Sequence, residues 1–305
     1  PAVYDGKPYA DIAHLAQDAY SFVAIANYLR HGGFAAPEIY ATDFEQGLLL
    51  IEYLGHDGIV DADGEPIAER YMESVGCLAR LHATVVPENL PVSGEHSYQI
   101  PPFDLLAMKI ETSLLVDWYL PWKRGGPVSE TERAEYLAIW DQLIAELADA
   151  EKNLLLRDFH SPNIIWRPQE DGLARIGLID FQDAMIGPTA YDLASIVQDA
   201  RVNIPPALAD RLMSHYFSLR QADPGFDKAR FQKAWAIMAA QRNCKLAGIW
   251  VRLLQRDGKP GYLKHMPRTL DYLRTAFQHD SLAPLRDWCV RAGIDIGDPI
   301  ITRTT

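Results

Sequence analysis

The chain of 305 residues is 48% hydrophobic and carries 29 Lys and Arg against 41 Asp and Glu, a formal net charge of −12. That length exceeds one minimal core, so one large or two unequal domains are expected, and the apolar content excludes a disordered chain. The acidic surplus gives no general attraction for nucleic acid or an anionic membrane surface, and neither is expected as a partner.

Cys77, Cys244 and Cys289 are far apart, odd in number and without a C-x-x-C pair, which fits packing residues in a reducing compartment and not a disulfide framework or zinc site. No apolar run approaches the roughly 18 to 20 residues of a membrane span, and the start lacks the pattern of a signal peptide, so a cytoplasmic location is expected. The chain opens on Pro1, and "PAVYDGKPYADIAHLAQD" reads as a turn leading into a helix, so a preceding segment is expected.

From about Ile12 to Leu29, Phe22, Ile25, Ala26 and Leu29 recur at helical spacing, and Gly32-Gly33 supplies the stop. "EIYATDFEQGLLLIEYLG" predicts two short strands with Asp43 to Gly47 as their turn and Leu48 to Ile51 as a buried second strand. The polar, glycine-bearing "GHDGIVDADGEP" then marks a junction between a small first lobe, residues 1–54, and a larger second one, residues 55–305.

Beyond the junction helices dominate. Pro66 opens a segment with Ile67, Tyr71, Val75, Leu78 and His82 along one face. Ser129 with Glu132 forms a capping box before a helix that turns Leu137, Trp140, Leu143, Ile144 and Leu147 inward. Further helices are predicted from Pro206 to about Leu219, from Phe231 to Leu254 and from Pro267 to Phe277, with no internal repeat.

The chemistry concentrates in "LLLRDFHSPNIIW", Leu154 to Trp166, where Arg157, Asp158, His160 and Asn163 stand between apolar runs. Taken alone this is a polar turn between strands. It continues, however, as the short strand "NIIW", the turn "RPQEDG" and a second strand "LARIGLIDF" that ends near Asp180. In an antiparallel hairpin closed near position 170, opposed residues have numbers summing to about 341, so Asn163 and Asp180 meet at its open end. Asp158 lies just upstream and Asp183 close behind. Two carboxylates and an amide converging on one point suit a hard cation such as Mg2+, which takes oxygen ligands and keeps waters and substrate phosphates in its shell. A carboxylate there can also accept a proton from an attacking hydroxyl. The order D-x-x-x-x-N, hairpin, I-D-F is that of the catalytic loop and metal-binding aspartate of protein kinases and their small-molecule relatives.

"LRDFHSPNIIW", "GLIDFQDAMIGPTAYDLASIVQDAR" and "LARLH" at Leu78 to His82 resemble the aminoglycoside phosphotransferase family. Within it, "IDFQDA", "QDAR", "VDWYL" and "QRNCKLAGIWVRLLQRDGKPGYL" are most similar to bacterial N-acetylmuramate/N-acetylglucosamine anomeric kinases of cell-wall recycling. The resemblance covers nearly the whole chain. It implies an α+β, two-lobed protein-kinase-like fold with a small β-containing first lobe and a mainly helical second lobe, using ATP and Mg2+. It makes Asp158 the catalytic base, Asn163 and Asp180 the metal ligands, and Glu52, Tyr53 and Leu54 the hinge that receives adenine. Asp183 has two readings, a cap of the following turn or a contact to metal or substrate. His160 is read as a brace of the loop, and Asp192 as its anchor through backbone hydrogen bonds.

Two features depart from the family pattern. Leu156 stands where the family has histidine, two residues before the catalytic aspartate, and there is neither a G-x-G-x-x-G after a strand nor a phosphate-gripping lysine, Lys7 being read as a turn residue. For the acceptor, a polycationic aminoglycoside needs carboxylates, whereas the lactyl carboxylate of N-acetylmuramate is matched by a guanidinium. Arg201, Arg242, Lys245 and Arg252 are candidates for the latter, with Trp118, Tyr119 and Trp250 available to stack on a sugar ring; ordinary surface charges and core aromatics are the alternative. The expectation is an ATP-dependent kinase of a sugar hydroxyl, with an aminoglycoside or other metabolite kinase, or a non-catalytic binding module of the same fold, as alternatives. Oligomeric state has no signature in the sequence.

Overall fold

In the computed structural model, which describes residues 2–4, 6–94 and 96–294, β1 (Ala2–Tyr4) and β2 (Lys7–Pro8) pair antiparallel and lead into α1 (Tyr9–Ile12). Lys7 therefore sits in a short strand and not in a turn. The single helix expected from Ile12 is broken: α1 ends at Ile12, His14 adopts a left-handed φ of 50°, and α2 (Tyr20–His31) begins eight residues on. Tertiary bonds made by residues 13 to 16 account for the break and are described below. Gly32 caps α2 and Gly33, at φ 83°, turns the chain away, as glycine does with least strain.

The hairpin of β3 (Ile39–Asp43) and β4 (Leu48–Ile51) forms where expected, with Gly47 at φ 67° in its turn. Its second strand is not buried: Leu48 is 63% exposed and Leu50 61%. An apolar run gives the strand but not its cover, and among the described residues this sheet has two strands.

α3 (Ala68–His82) buries Tyr71, Val75, Leu78 and His82, the predicted face. β5 (Asn89–Ser93) and β6 (His96–Gln99) make a second hairpin. α4 (Leu105–Leu114) runs through a π-helical turn at Leu115–Tyr119 into α5 (Leu120–Arg124). α6 (Glu130–Ala145) starts on the expected capping box, with the Ser129 hydroxyl and the Glu132 carboxylate bonding reciprocally. β7 (Lys152–Leu155), β8 (Ile164–Trp166), β9 (Ile176–Leu178) and β10 (Met185–Pro188) pair as β7 with β10 and β8 with β9. The strand expected from Leu173 is shorter, because Gly172–Arg175 form a 3-10 turn, and Ile164 opposes Leu178 instead of Gly177. The remaining helices are α7 (Ala190–Val197), α8 (Pro206–Arg220), α9 (Lys228–Asp257), α10 (Met266–Ala276) and α11 (Ala283–Arg291).

The chain divides into two units, Pro1–Phe103 with Glu151–Lys228, and Asp104–Ala150 with Ala229–Thr305. The boundary expected after Leu54 lies inside the first unit. In that unit α3 packs against α7 and α8, and Ile25, Leu29, Leu78, Leu154, Ile164 and Leu193 are buried. In the second, α4 and α11 pack against α6 around Tyr136, Trp140 and Trp288. There α9 comes so close to α4 that a Cβ on Gly248 would collide with the backbone carbonyl of Leu114. Among the described residues no helix is long and apolar enough to cross a membrane.

Candidate active site

β7 enters the site through its buried end, where Leu155 opposes Met185 of β10. The chain then reverses at once. Arg157 takes φ 69°, and the Asp158 N–H donates to the Leu156 carbonyl at 2.8 Å, a three-residue turn with a left-handed centre. A side-chain-bearing residue holds such a conformation only when its surroundings fix it. Here Asp192, wholly buried on α7, accepts the Leu156 N–H on Oδ2 at 2.5 Å and the Arg157 N–H on Oδ1 at 2.9 Å. The expected backbone anchor is therefore in position. Its carboxylate also faces His82 of α3, whose Nε2 is 4.0 Å from Asp192 Oδ2 and whose Nδ1 is 2.8 Å from the Tyr216 hydroxyl.

Asp158 itself is held by its carbonyl oxygen, which receives the His160 N–H at 3.0 Å, His160 Nδ1 at 2.7 Å and Asn163 Nδ2 at 3.0 Å. A carbonyl can only accept, so Nδ1 of His160 carries the proton, and the ring braces the loop. The 3-10 turn Ser161–Asn163 is fixed by Asp199, which accepts the Ser161 N–H at 2.8 Å on Oδ2 and the Arg201 N–H at 2.8 Å on Oδ1. The sequence gives neither Asp199 nor His82 a role at the site, His82 being read only as part of a helix face, although both lie in the stretches "QDAR" and "LARLH" that carry the resemblance.

Across the hairpin, Asn163 Nδ2 donates to Asp180 Oδ2 at 3.0 Å, and Gln182 Nε2 to Asp180 Oδ1 at 2.8 Å. Asp180 also takes a left-handed φ of 60°. Three residues on, Asp183 Oδ1 accepts the N–H of Ala16 at 2.7 Å. Burial raises the Asp183 pKa above its ordinary value; the Ala16 bond and the Arg157 guanidinium oppose this, and the charges of Asp158 and Asp180 add to it. The site thus gathers Asp158, Asn163, Asp180 and Asp183, with Arg157 the cation beside them. Arg157 also donates to the Ala13 carbonyl at 2.9 Å.

The other predicted residues belong to other elements. The Glu52 N–H donates to the Glu38 carbonyl at 2.8 Å, Tyr53 is 76% exposed and Leu54 is buried. Arg201 is exposed just beyond Asp199. Trp118, half-buried in the π-helical turn, and Arg242, buried on α9, belong to the second unit. There Lys245 forms a 2.8 Å ion pair with the buried Glu111, which Gln241 also bonds at 2.8 Å.

Among the described residues no cluster of three or more His, Cys, Asp or Glu side chains could enclose a metal. One carboxylate beside one amide is instead the donor set for a cation that completes its shell with water and phosphate oxygens, as Mg2+ does, so Asn163 and Asp180 fit it.

The family model described as "Phosphotransferase enzyme family" matches residues 9–232. The N-acetylmuramate/N-acetylglucosamine kinase of Caulobacter vibrioides is 33% identical over 272 residues, covering 88% of this chain and 73% of that protein. The protein of the same name from Pseudomonas aeruginosa is 29% identical, covering 85% and 74%. Among solved structures, choline kinase LicA from Streptococcus pneumoniae superposes with a TM-score of 0.57 at 18% identity, covering 88% of this chain and 84% of that one, a likeness of fold. The fold is kinase-like, as the resemblance implied. A match of the family model over residues 9–232, most of the chain, makes this protein a member of the phosphotransferase enzyme family.

Proposed function

We propose that the protein transfers the γ-phosphoryl group of ATP, with Mg2+, to a hydroxyl of an amino sugar, the anomeric hydroxyl of N-acetylmuramate or N-acetylglucosamine. The observation that carries this reading is the 3.0 Å pairing of Asn163 with Asp180, made by the same amide that holds the Asp158 carbonyl. One side chain thereby ties the proposed base to the proposed metal position. The names of the relatives supply the acceptor class.

In this reading Asp158 accepts the hydroxyl proton as the oxygen attacks, a role open to a carboxylate held within reach of the acceptor. Asn163 and Asp180 would hold the cation, whose chemistry is to neutralise charge on the transferring phosphate. Asp192, His160 and Asp199 fix the loop's backbone, so the geometry exists before substrate arrives, as catalysis by positioning requires. Residues 1–54 would form a nucleotide-binding lobe that ends in the hinge Glu52–Leu54, and residues 55–305 the lobe for the acceptor. Arg201, Arg242 and Trp118 are the candidates for the lactyl carboxylate and the sugar face.

The test is ATP consumption with Mg2+ across N-acetylmuramate, N-acetylglucosamine and kanamycin, with Asp158→Asn as control. Turnover that depends on an amino sugar and is lost in the variant is expected. Turnover with kanamycin alone would move the reading to an aminoglycoside kinase, and no ATP binding at all would leave a non-catalytic member.

A further inference from the structure

The loop between α1 and α2 hangs from the catalytic segment at two points. The Ala13 carbonyl accepts from Arg157, the neighbour of Asp158, and the Ala16 N–H donates to Asp183. His14, between these anchors, holds its left-handed φ of 50°. Such strained positions persist where tertiary contacts over-determine them, and they concentrate at functional sites.

This loop and the end of β6 line an open pocket of about 440 Å³, within the about 300–1,000 Å³ typical of small-molecule sites. Leu15 and Pro101 give it apolar walls, while Ser21, Tyr98, Gln99 and Asp18 give it hydrogen-bonding ones. The Ser21 hydroxyl is the informative group: the residue is 2% exposed, it lies on the cavity wall, and its oxygen has no partner. Buried hydroxyls are nearly always paired, so an orphan on the wall of a cavity calls for a ligand group.

Charge decides which part of a reaction complex fits. Among the described residues the wall carries the carboxylates of Asp11 and Asp18 and the imidazole of His14 but no Lys or Arg, and Asp183 stands behind Ala16. A nucleotide's phosphates would meet like charge there. Neutral hydroxyl and acetamido groups, which donate as well as accept, would meet complementary oxygens and amides. The phenol of Tyr98, raised to about 12 by burial and then by Asp18 and Asp183, stays an O–H donor.

We propose that this cavity seats the uncharged ring of the acceptor amino sugar, with Ser21, Gln99 and Tyr98 bonding its hydroxyl and acetamido groups and the anomeric oxygen directed toward Asp158. The assignment rests on the kinase reading above and extends the seat of the acceptor, given there to residues 55–305, onto residues 10–21 of the first lobe. It leaves the lactyl carboxylate of N-acetylmuramate outside the cavity.

The experiment compares wild type, Gln99→Leu and Ser21→Ala in the full chain by steady-state kinetics, varying each sugar at saturating ATP and ATP at saturating sugar, with melting curves as a control on folding. Gln99 is exposed and Ser21→Ala removes one atom, so both variants should melt as wild type. Each lost hydrogen bond should raise the sugar KM about five- to tenfold, alike for N-acetylmuramate and N-acetylglucosamine, with the ATP KM unchanged. Unchanged sugar KM values in a wild type that does turn over amino sugars would overturn the cavity assignment and leave the kinase standing. A rise in the ATP KM would give the cavity to the nucleotide, and an effect on N-acetylmuramate alone would give it to the carboxylate. A wild type silent with both sugars would overturn the kinase reading and this inference with it.

Discussion

Asn163 donates through Nδ2 to the Asp180 carboxylate at 3.0 Å, joining the two ends of a hairpin separated by 17 positions in sequence. If these residues share a cation, Asn163→Ala should raise the Mg2+ concentration for half-maximal turnover at least tenfold, and free Mg2+ titrated at fixed ATP reads that shift directly. Asp158→Asn should instead lower kcat by roughly 10²–10⁴ at an unchanged Mg2+ requirement. Equal Mg2+ dependence in all three proteins would separate Asn163 from the metal.

Asp192 supports the Leu156 and Arg157 N–H groups of the turn before Asp158 from a wholly buried position. Asp192→Ala leaves both donors unpaired and should cost about 3 kcal/mol, visible as a lower midpoint in urea. Activity should fall with it even where the protein remains folded, because the left-handed Arg157 loses its tether.

The raised pKa of Asp183 means that its ionisation is less favourable folded than unfolded. Its contribution to stability is complete below the ordinary value of 3.8 and is lost as pH rises through the raised one. Asp183→Asn keeps an oxygen for the Ala16 N–H and removes the charge. Its melting temperature should exceed that of wild type at pH 7, with the gap narrowing toward pH 4. A gap independent of pH would point to packing instead of charge.

Gly248 of α9 faces the Leu114 carbonyl with no room for a methyl group. Alanine would gain about 1 kcal/mol of helix propensity, but the obstacle is backbone and cannot rotate away. Gly248→Ala should therefore be a net loss of about 2 kcal/mol. A melting temperature equal to or above that of wild type would show that the helices can part cheaply.

Burial pushes the thiols of Cys77 and Cys244 up to about 12 and that of Cys289 well above its ordinary value. A thiol reagent at pH 8 should label none in the native protein and all three cysteines in guanidinium.

Much of this site was legible in the sequence because it is local. Asp158, Asn163 and Asp180 sit on one turn and one hairpin, and a two-residue periodicity is enough to bring the hairpin's ends together. The register was one residue off because the 3-10 turn at Gly172–Arg175 takes up chain that an alternating pattern assigns to strand. Non-local bonds were not legible. The helix expected over residues 12–29 breaks because Arg157 and Asp183, some 144 and 167 positions away, hold residues 13 and 16, and helical spacing carries no trace of them. The exposure of Leu48 and Leu50 likewise depends on what covers the β3–β4 hairpin, not on the strand's own composition.

The alternation of segments between the two units has a consequence for biosynthesis. The first unit needs residues up to Lys228, so its core can close while the second still lacks α10 and α11. The second unit's opening segment, Asp104–Ala150, leaves the ribosome with α4 beside α6, but the rest of the unit, including the Trp288 that Tyr136 meets, begins only at Ala229. At roughly 5–20 residues per second, that wait of about 80 residues lasts several seconds. During nascent-chain elongation the apolar side of α6 is accordingly a natural landing place for a chaperone, and codon choice between residues 150 and 229 becomes a determinant of yield.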